Sequence, residues 1–328
     1  MNALIVCHAG AGLGLGHLTR SLVVARALHQ ELGFDVRILI QGDPVQRADL
    51  AEFEHQFFGL EESLNTTIQH QAKQAGAQVV ILDLYPRLVP ADIDTLLKAL
   101  RQDGHKIIGV DSLVNHRSNL DLVFIPSFHF TPPAGSAGGA PILFGWDCFL
   151  LNVKRTATEW KAGRQVLALA GGSDATALGK IMPKLLNAAL PVGTELHWVT
   201  GPYAQQPVWP PSPRISMSND QSPAGLDELM VGTNYAVTAY GVSFFELLHY
   251  GVPTVVFSPY GNKDDLELAA IAAEGVALVA RDEVDAAARL KELMADDTLA
   301  ASLSRQARQR LSVLGGHKFA QAVAKLMD

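Results

Sequence analysis

Cysteine is nearly absent: of 328 residues only Cys7 and Cys148 carry a thiol. Two thiols allow one long-range bridge at most, so a disulfide framework is excluded, and two buried thiols in a reducing compartment are the expectation. No Cys/His cluster has zinc-ligand spacing, so no metal is expected. Charge of one sign is also scarce. Lys and Arg number 26 against 33 Asp and Glu, giving a net charge of −7 without any basic run. That balance argues against a nucleic-acid surface. No apolar run is long enough to span a bilayer, and residues 1–6 lack the charged region and apolar stretch of a signal peptide. A cytoplasmic, soluble protein is expected.

What is present is a regular alternation. Short apolar runs at 4–6, 36–40, 79–82, 107–110 and 122–125 are separated by helical patterns at 17–32, 64–74 and 91–102. Continuous hydrophobicity suits parallel strands covered on both faces. Residues 126–145 then break the pattern with four prolines and four glycines. A second series follows, with strands at 166–169, 196–200, 235–238, 254–257 and 276–279. Its helices fall at 175–189, 226–231, 243–250, 264–274 and 282–295. A last helix at 318–327 follows Gly315-Gly316, and the stretch 207–213 reads as a proline-rich surface loop. The fold class is therefore α/β, with two Rossmann-like, doubly wound parallel-sheet domains at 1–150 and 151–328. Ligands of such sheets bind beyond the carboxyl ends of the strands, which points to a cleft between the domains.

The first strand runs into Gly10-Ala11-Gly12-Leu13-Gly14-Leu15-Gly16-His17-Leu18-Thr19-Arg20. The glycines permit a tight turn and a close ligand. Neither G-x-G frame has its third glycine, since Leu15 and His17 stand there, and no P-loop pattern occurs. His17 opens the helix. A helix N-terminus favours the neutral imidazole, which can accept a proton, so His17 is a candidate general base; the alternative is a helix cap. Arg20, one turn on, either orients a phosphate or sugar or is a solvated surface residue. Asp83, Asp111 and Asp174 each end an apolar strand, where a carboxylate orients a catalytic His, binds sugar hydroxyls or caps a turn. Gly171-Gly172-Ser173 follows a strand and precedes a predicted helix, so its amides and hydroxyl are candidates for a phosphate. Gly241 and Ser243 open another helix, and Glu246 lies one turn in, as a ribose ligand or as a complement to the helix dipole. His8, His55, His105 and His197 sit in no motif and are expected to be structural.

Gly14-Leu15-Gly16-His17-Leu18-Thr19-Arg20 resembles the G-x-G-H-x-x-R loop of the UDP-sugar hydrolases of pseudaminic acid biosynthesis. These fall within the GT-B family that includes the lipid II-forming N-acetylglucosaminyltransferase. Further similar segments follow in order: Ile81 to Tyr85, Gly109 to Asn115, Leu169 to Asp174, Ala239 to Glu246 with Gly251-Val252-Pro253, and Asn262-Lys263-Asp264-Asp265. Two segments depart from the hydrolases. Val242-Ser243-Phe244-Phe245-Glu246 stands for Ser-Thr-Thr-Trp-Glu, and Gly261-Asn262-Lys263 for Glu-Asn-Gln, the latter closer to the transferases. The resemblance implies a GT-B enzyme with His17 as base, supported by Asp83 and Asp111. The substrate contacts it implies are Gly14, Gly16, Arg20, Gly171, Gly172, Ser173, Gly241, Ser243, Glu246, Asn262 and Lys263. It implies a UDP-sugar as substrate, no cofactor, and inverting hydrolysis. Transfer to a sugar or lipid acceptor and a non-catalytic binding module are the alternatives.

Overall fold

The computed structural model describes every residue except Ala11, 133–137, Ser173 and Ala224. The chain divides into two units. One comprises Met1–Asn152 with Val313–Asp328, the other Val153–Ser312.

In the first unit the order is β1 (Asn2–Ala9), α1 (Gly16–Leu32), β2 (Asp35–Gly42), β3 (Glu54–Phe58), α2 (Leu64–Gln74), β4 (Val79–Asp83), α3 (Ile93–Gln102), β5 (Lys106–Val110), β6 (Leu122–Phe124) and β7 (Ile142–Leu143). All pairings are parallel, in the order β3-β2-β1-β4-β5-β6-β7. Side chains of β1 alternate between two cores. Ala3, Ile5 and Cys7 meet α1, while Leu4 and Val6 meet the layer of α2 and α3. Each such fully buried Leu or Ile stabilises the fold by roughly 1.5–3 kcal/mol. The strand order reverses between β1 and β4, so the loops after them diverge and leave an opening at the carboxyl end of the sheet.

The second unit contains β8 (Gln165–Leu169), α4 (Met182–Ala189), β9 (Glu195–Thr200), β10 (Ser216–Gln221), α5 (Leu226–Gly232), β11 (Tyr235–Ala239), α6 (Val242–His249), β12 (Thr254–Phe257), α7 (Asp265–Glu274), β13 (Leu278–Val279), α8 (Glu283–Leu293) and α9 (Asp297–Arg310). Its parallel sheet has the order β10-β9-β8-β11-β12-β13, with the reversal between β8 and β11. The last helix, α10 (Gly315–Met327), packs on α1 in the first unit, with Phe319 fully buried against Phe124.

Several elements differ from the sequence expectation. The helix expected at 175–189 is a turn, a short 3-10 segment at Leu178–Lys180 and then α4 from Met182. Pro183 fits that later start, because a helix's first turn needs no proline N–H. β3, β7 and β10 were not anticipated. β3 and β10 are edge strands carrying exposed polar residues, so neither shows an apolar run. α9 also went unread, because its buried stripe is Ala300, Leu303, Ser304 and Ala307 in an otherwise polar segment. Gly315 and Gly316, which the sequence placed ahead of the last helix, form the first turn of α10.

Candidate functional site

The first unit's loop is a closed turn. Gly14 N–H donates to Gly10 O at 2.8 Å, and Gly10 N–H returns to Gly14 O at 3.3 Å. Gly14, with φ +78°, favours glycine, and a Cβ on Gly10 would stand 2.7 Å from Asp43 Oδ2, so the Asp43 side chain would have to shift. α1 then begins at Gly16, preceded by Leu15, which offers no capping side chain. Its first helical bond is Thr19 N–H to Leu15 O. The amides ahead of it face outward for water or a ligand.

His17, on this first turn, meets Asp83 at the end of β4, the strand beside β1. His17 Nδ1 lies 2.7 Å from Asp83 Oδ1. Arg20 grips the same carboxylate with two bonds of 2.6 Å, from Nε to Oδ2 and from Nη2 to Oδ1. Asp83 is only 1 % exposed. Burial works to raise its pKa, but the Arg20 guanidinium outweighs it and holds the carboxyl below its usual range. An ionised carboxylate only accepts, so the proton of the short contact resides on His17 Nδ1. The 2.9 Å approach of Arg20 Nη2 to Nδ1 is then donor beside donor, not a hydrogen bond. In the neutral ring Nε2 keeps its lone pair. A carboxylate therefore fixes the tautomer that a general base requires.

Arg20 is not a solvated surface residue: its side chain is 12 % exposed. Its third arm, Nη1, donates to Asp111 Oδ2 at 2.7 Å, so the guanidinium is engaged by two carboxylates. Asp111 follows β5 in a left-handed conformation, φ +59°, and its side chain is 44 % exposed. The structure thus gathers His17, Arg20, Asp83 and Asp111 at the carboxyl ends of β1, β4 and β5. Beneath them Cys7 is inert: burial, then the Asp83 charge, pushes its thiol up to about 12.

Two residues that the sequence left unassigned brace this cluster. The Tyr85 ring stands edge-on to His17, with centroids 5.9 Å apart. Tyr85 N–H donates to His8 Nδ1 at 3.0 Å, which leaves His8 Nε2–H to donate to Gln41 Oε1 at 3.1 Å. His8 is fully buried, and burial lowers its pKa to about 4, so it is neutral at neutral pH. The strand-end segment Ile81 to Tyr85 was the only signal in the sequence for Tyr85; His8 had none.

In the second unit, Gly171 (φ +84°) and Gly172 turn the chain after β8 with open space at both Cα positions. The turn packs on Gly201, whose absent Cβ would lie 2.4 Å from Gly172 O, and Tyr203 N–H donates to that oxygen at 3.0 Å. Ser173 lies outside the described residues. Because α4 starts only at Met182, the glycines do not sit at a helix N-terminus, and the helix-dipole argument for a phosphate there does not hold. Asp174 is a turn cap: its Oδ1 and Oδ2 accept from the amides of Leu178 and Gly179 at 2.7 and 2.8 Å. α6 does begin directly after β11. Gly241 precedes it without a side-chain cap, Ser243 is in its first turn, and Glu246 is 8 % exposed. After β12, Asn262 and Lys263 are exposed, and Lys263 Nζ lies 5.0 Å from the centroid of the Tyr260 ring. Burial, then the charges of Asp264 and Asp174, raises the Tyr260 phenol's pKa, so the loop after β12 lies near the turn after β8. Gly171, Gly172, Gly241, Ser243, Asn262 and Lys263 thus share the carboxyl end of the second sheet. Among the described residues, no group of three or more His, Cys, Asp or Glu is placed to hold a metal ion, and no helix is long and apolar enough to cross a membrane.

No protein-family model matches the chain, and no curated protein matches it in sequence. Solved structures do match over its whole length. The Acinetobacter baumannii MurG structure is 15% identical, with a TM-score of 0.67 over 99% of this chain and 100% of that one. The spinosyn forosaminyltransferase SpnP is 13% identical, with a TM-score of 0.70 over 99% of both chains. Phytolacca americana UGT2, solved with UDP-2-fluoro-glucose and pterostilbene, is 14% identical, with a TM-score of 0.66 over 99% of both chains. Together with the two parallel sheets, these likenesses show that the chain has the two-Rossmann-like GT-B fold.

Proposed function

We propose that the chain is an inverting enzyme acting on a nucleotide-sugar, with a UDP-sugar as substrate and water as the nucleophile. The observation that carries this reading is the Asp83–His17 pair, which leaves His17 Nε2 free to accept a proton on the carboxyl-end face of the first unit. The proton of water passes to His17 Nε2 as its oxygen bonds to the anomeric carbon. The bond from that carbon to the diphosphate oxygen breaks on the opposite side, and UDP leaves with the electron pair. Asp83 holds the ring and faces the charge it acquires. Arg20 keeps Asp83 ionised and ties it to Asp111. The second unit holds UDP. The free amides opening α6 and the Lys263 ammonium oppose the growing diphosphate charge, and Glu246 accepts from the ribose. No cofactor takes part in this scheme.

The hydrolase reading rests on the strand-end and loop segments shared with the UDP-sugar hydrolases. Transfer to an acceptor alcohol is the second reading, favoured by the glycosyltransferases among the structural neighbours and by Asn262-Lys263. Incubation with a panel of UDP-sugars, with and without candidate sugar and lipid acceptors, tests both. UDP release without acceptor, with an inverted anomer in the first NMR spectra, supports hydrolysis; release only with acceptor supports transfer. Binding of UDP-sugars without release under any condition leaves a binding module and removes the catalytic reading.

A further inference from the structure

Arg305 and Arg308 lie three residues apart on α9 and so share one face of the helix. They line a groove of about 570 Å³ on the second unit, together with Arg155, Thr156, Gln309 and Ser312. No Asp or Glu is among the described residues of its wall, although the chain carries a net charge of −7. His249, at the carboxyl terminus of α6, also lines it. α6 runs from the carboxyl end of β11 back to the amino end of β12. The groove is therefore at the end of the sheet opposite the proposed nucleotide loops.

Arg308 is held in place. Gly251 has φ +70°, and a Cβ on it would fall 2.5 Å from Arg308 Cδ, so the glycine both turns the chain and admits the arginine stem. Arg308 Nη1 donates to Thr158 O at 3.3 Å. Arg155 pairs with Glu228 and Arg310 with Glu274, but among the described residues no carboxylate pairs with Arg305 or Arg308. A helix C-terminus favours a cation on its last turn. That accounts for one charge, not for two adjacent unpaired arginines on a concave wall that also carries two hydroxyl side chains. Adjacent like charges repel, and an anion between them relieves the repulsion.

We propose that this groove is an anion site for a phosphate monoester, gripped by Arg305 and Arg308 with the Thr156 hydroxyl as a further donor. It is independent of the reaction proposed above. The test is calorimetric titration of the full chain at low ionic strength with inorganic phosphate and glycerol 3-phosphate. A parallel flotation assay compares vesicles containing phosphatidic acid, whose headgroup is a phosphate monoester, with vesicles of phosphatidylcholine alone. Saturable binding is expected, weakened about tenfold or more in R305Q/R308Q, the scale of a lost charge-assisted contact. Gln309→Glu, which keeps both arginines and adds an acid to the wall, is expected to weaken it as well. Binding of the soluble ester alone identifies a metabolite site; selective flotation with phosphatidic acid as well identifies a lipid headgroup. Absence of saturable binding by both probes, or wild-type affinity in R305Q/R308Q and Gln309→Glu, overturns the proposal.

Discussion

Arg20, Asp83 and His17 form a chain in which each group depends on the next. Asp83→Asn removes the charge and turns one acceptor oxygen into a donor amide, so the proton is no longer fixed on His17 Nδ1, and it leaves a buried guanidinium short of its strongest partner. Breaking a buried ion pair from one side costs about 3–5 kcal/mol. Urea unfolding of Asp83→Asn is therefore expected to show a loss of that order, together with a fall in kcat larger than any change in KM. Unchanged stability with unchanged kcat would show that the carboxylate neither anchors Arg20 nor orients the ring. His8 gives a separate signature in pH. Its folded pKa of about 4 lies below its ordinary 6.5, so the unfolded chain takes up the proton first on acidification. Its stabilising contribution is complete above 6.5, declines as pH falls to about 4 and is constant below that. The total is on the order of 3 kcal/mol. Asp83 acts in the same direction but only from its ordinary value of 3.8 downward, because its folded pKa is lowered. Unfolding free energy measured from pH 7 to 4.5 should fall in the parent chain and fall less in His8→Asn. Parallel curves would remove His8 as the source.

At the scale of elements, the sequence shows those whose burial is written in apolar runs and hides those whose burial is shared. β1, β4, β8 and β11 are legible because both faces are covered. β3 and β10 are not, because edge strands keep polar residues on solvent. The same logic governs the site. His17 was legible because glycines precede it and a helix follows. The Asp83 partnership needed β4 to lie beside β1, a pairing between residues 66 apart in sequence. The hold of Arg20 on Asp83 and Asp111 was not legible, because no local pattern shows that two strand-end carboxylates converge on it. The Gly171–Gly172 turn was assigned to a helix start because the apolar residues after it suit a helix, which begins only at Met182. Gly315 and Gly316 are the sharpest case. Glycine to alanine inside a helix ordinarily stabilises by about 1 kcal/mol. Here a Cβ on Gly315 would lie 2.6 Å from the backbone of Cys148, whereas one on Gly316 would meet Val23 and Ala27 side-chain atoms at 3.3–3.4 Å. Gly315→Ala is thus expected to lower the urea midpoint and Gly316→Ala to leave it within a small margin. Equal midpoints for the two would mean that α10 does not seat closely on Cys148.

At the scale of the whole molecule, the proposed function divides its labour between the two units. The base and its carboxylates belong to the first unit, and the diphosphate and ribose contacts to the second. The division makes a prediction that no single site can make. His17→Ala should reduce turnover roughly 10²–10⁴-fold, the contribution of a positioned general base, while UDP affinity by calorimetry stays within about twofold. Glu246→Ala should weaken UDP by about 1.5–3 kcal/mol, the range for a hydrogen bond to a charged group, with a smaller effect on kcat at saturating substrate. UDP should bind the parent chain more tightly than UMP, through the added phosphate, and more tightly than ADP, through the base. Because the two side chains serve different steps, their effects on kcat/KM should add as free energies in the double variant. A double variant no worse than His17→Ala alone would mean that Glu246 acts only when the base is present, placing both in one coupled unit. If instead His17→Ala lost UDP affinity to the same extent as Glu246→Ala, the first unit would be holding the nucleotide. The base would then have to be sought elsewhere, first at Asp111, whose side chain is 44 % exposed and shares Arg20 with Asp83.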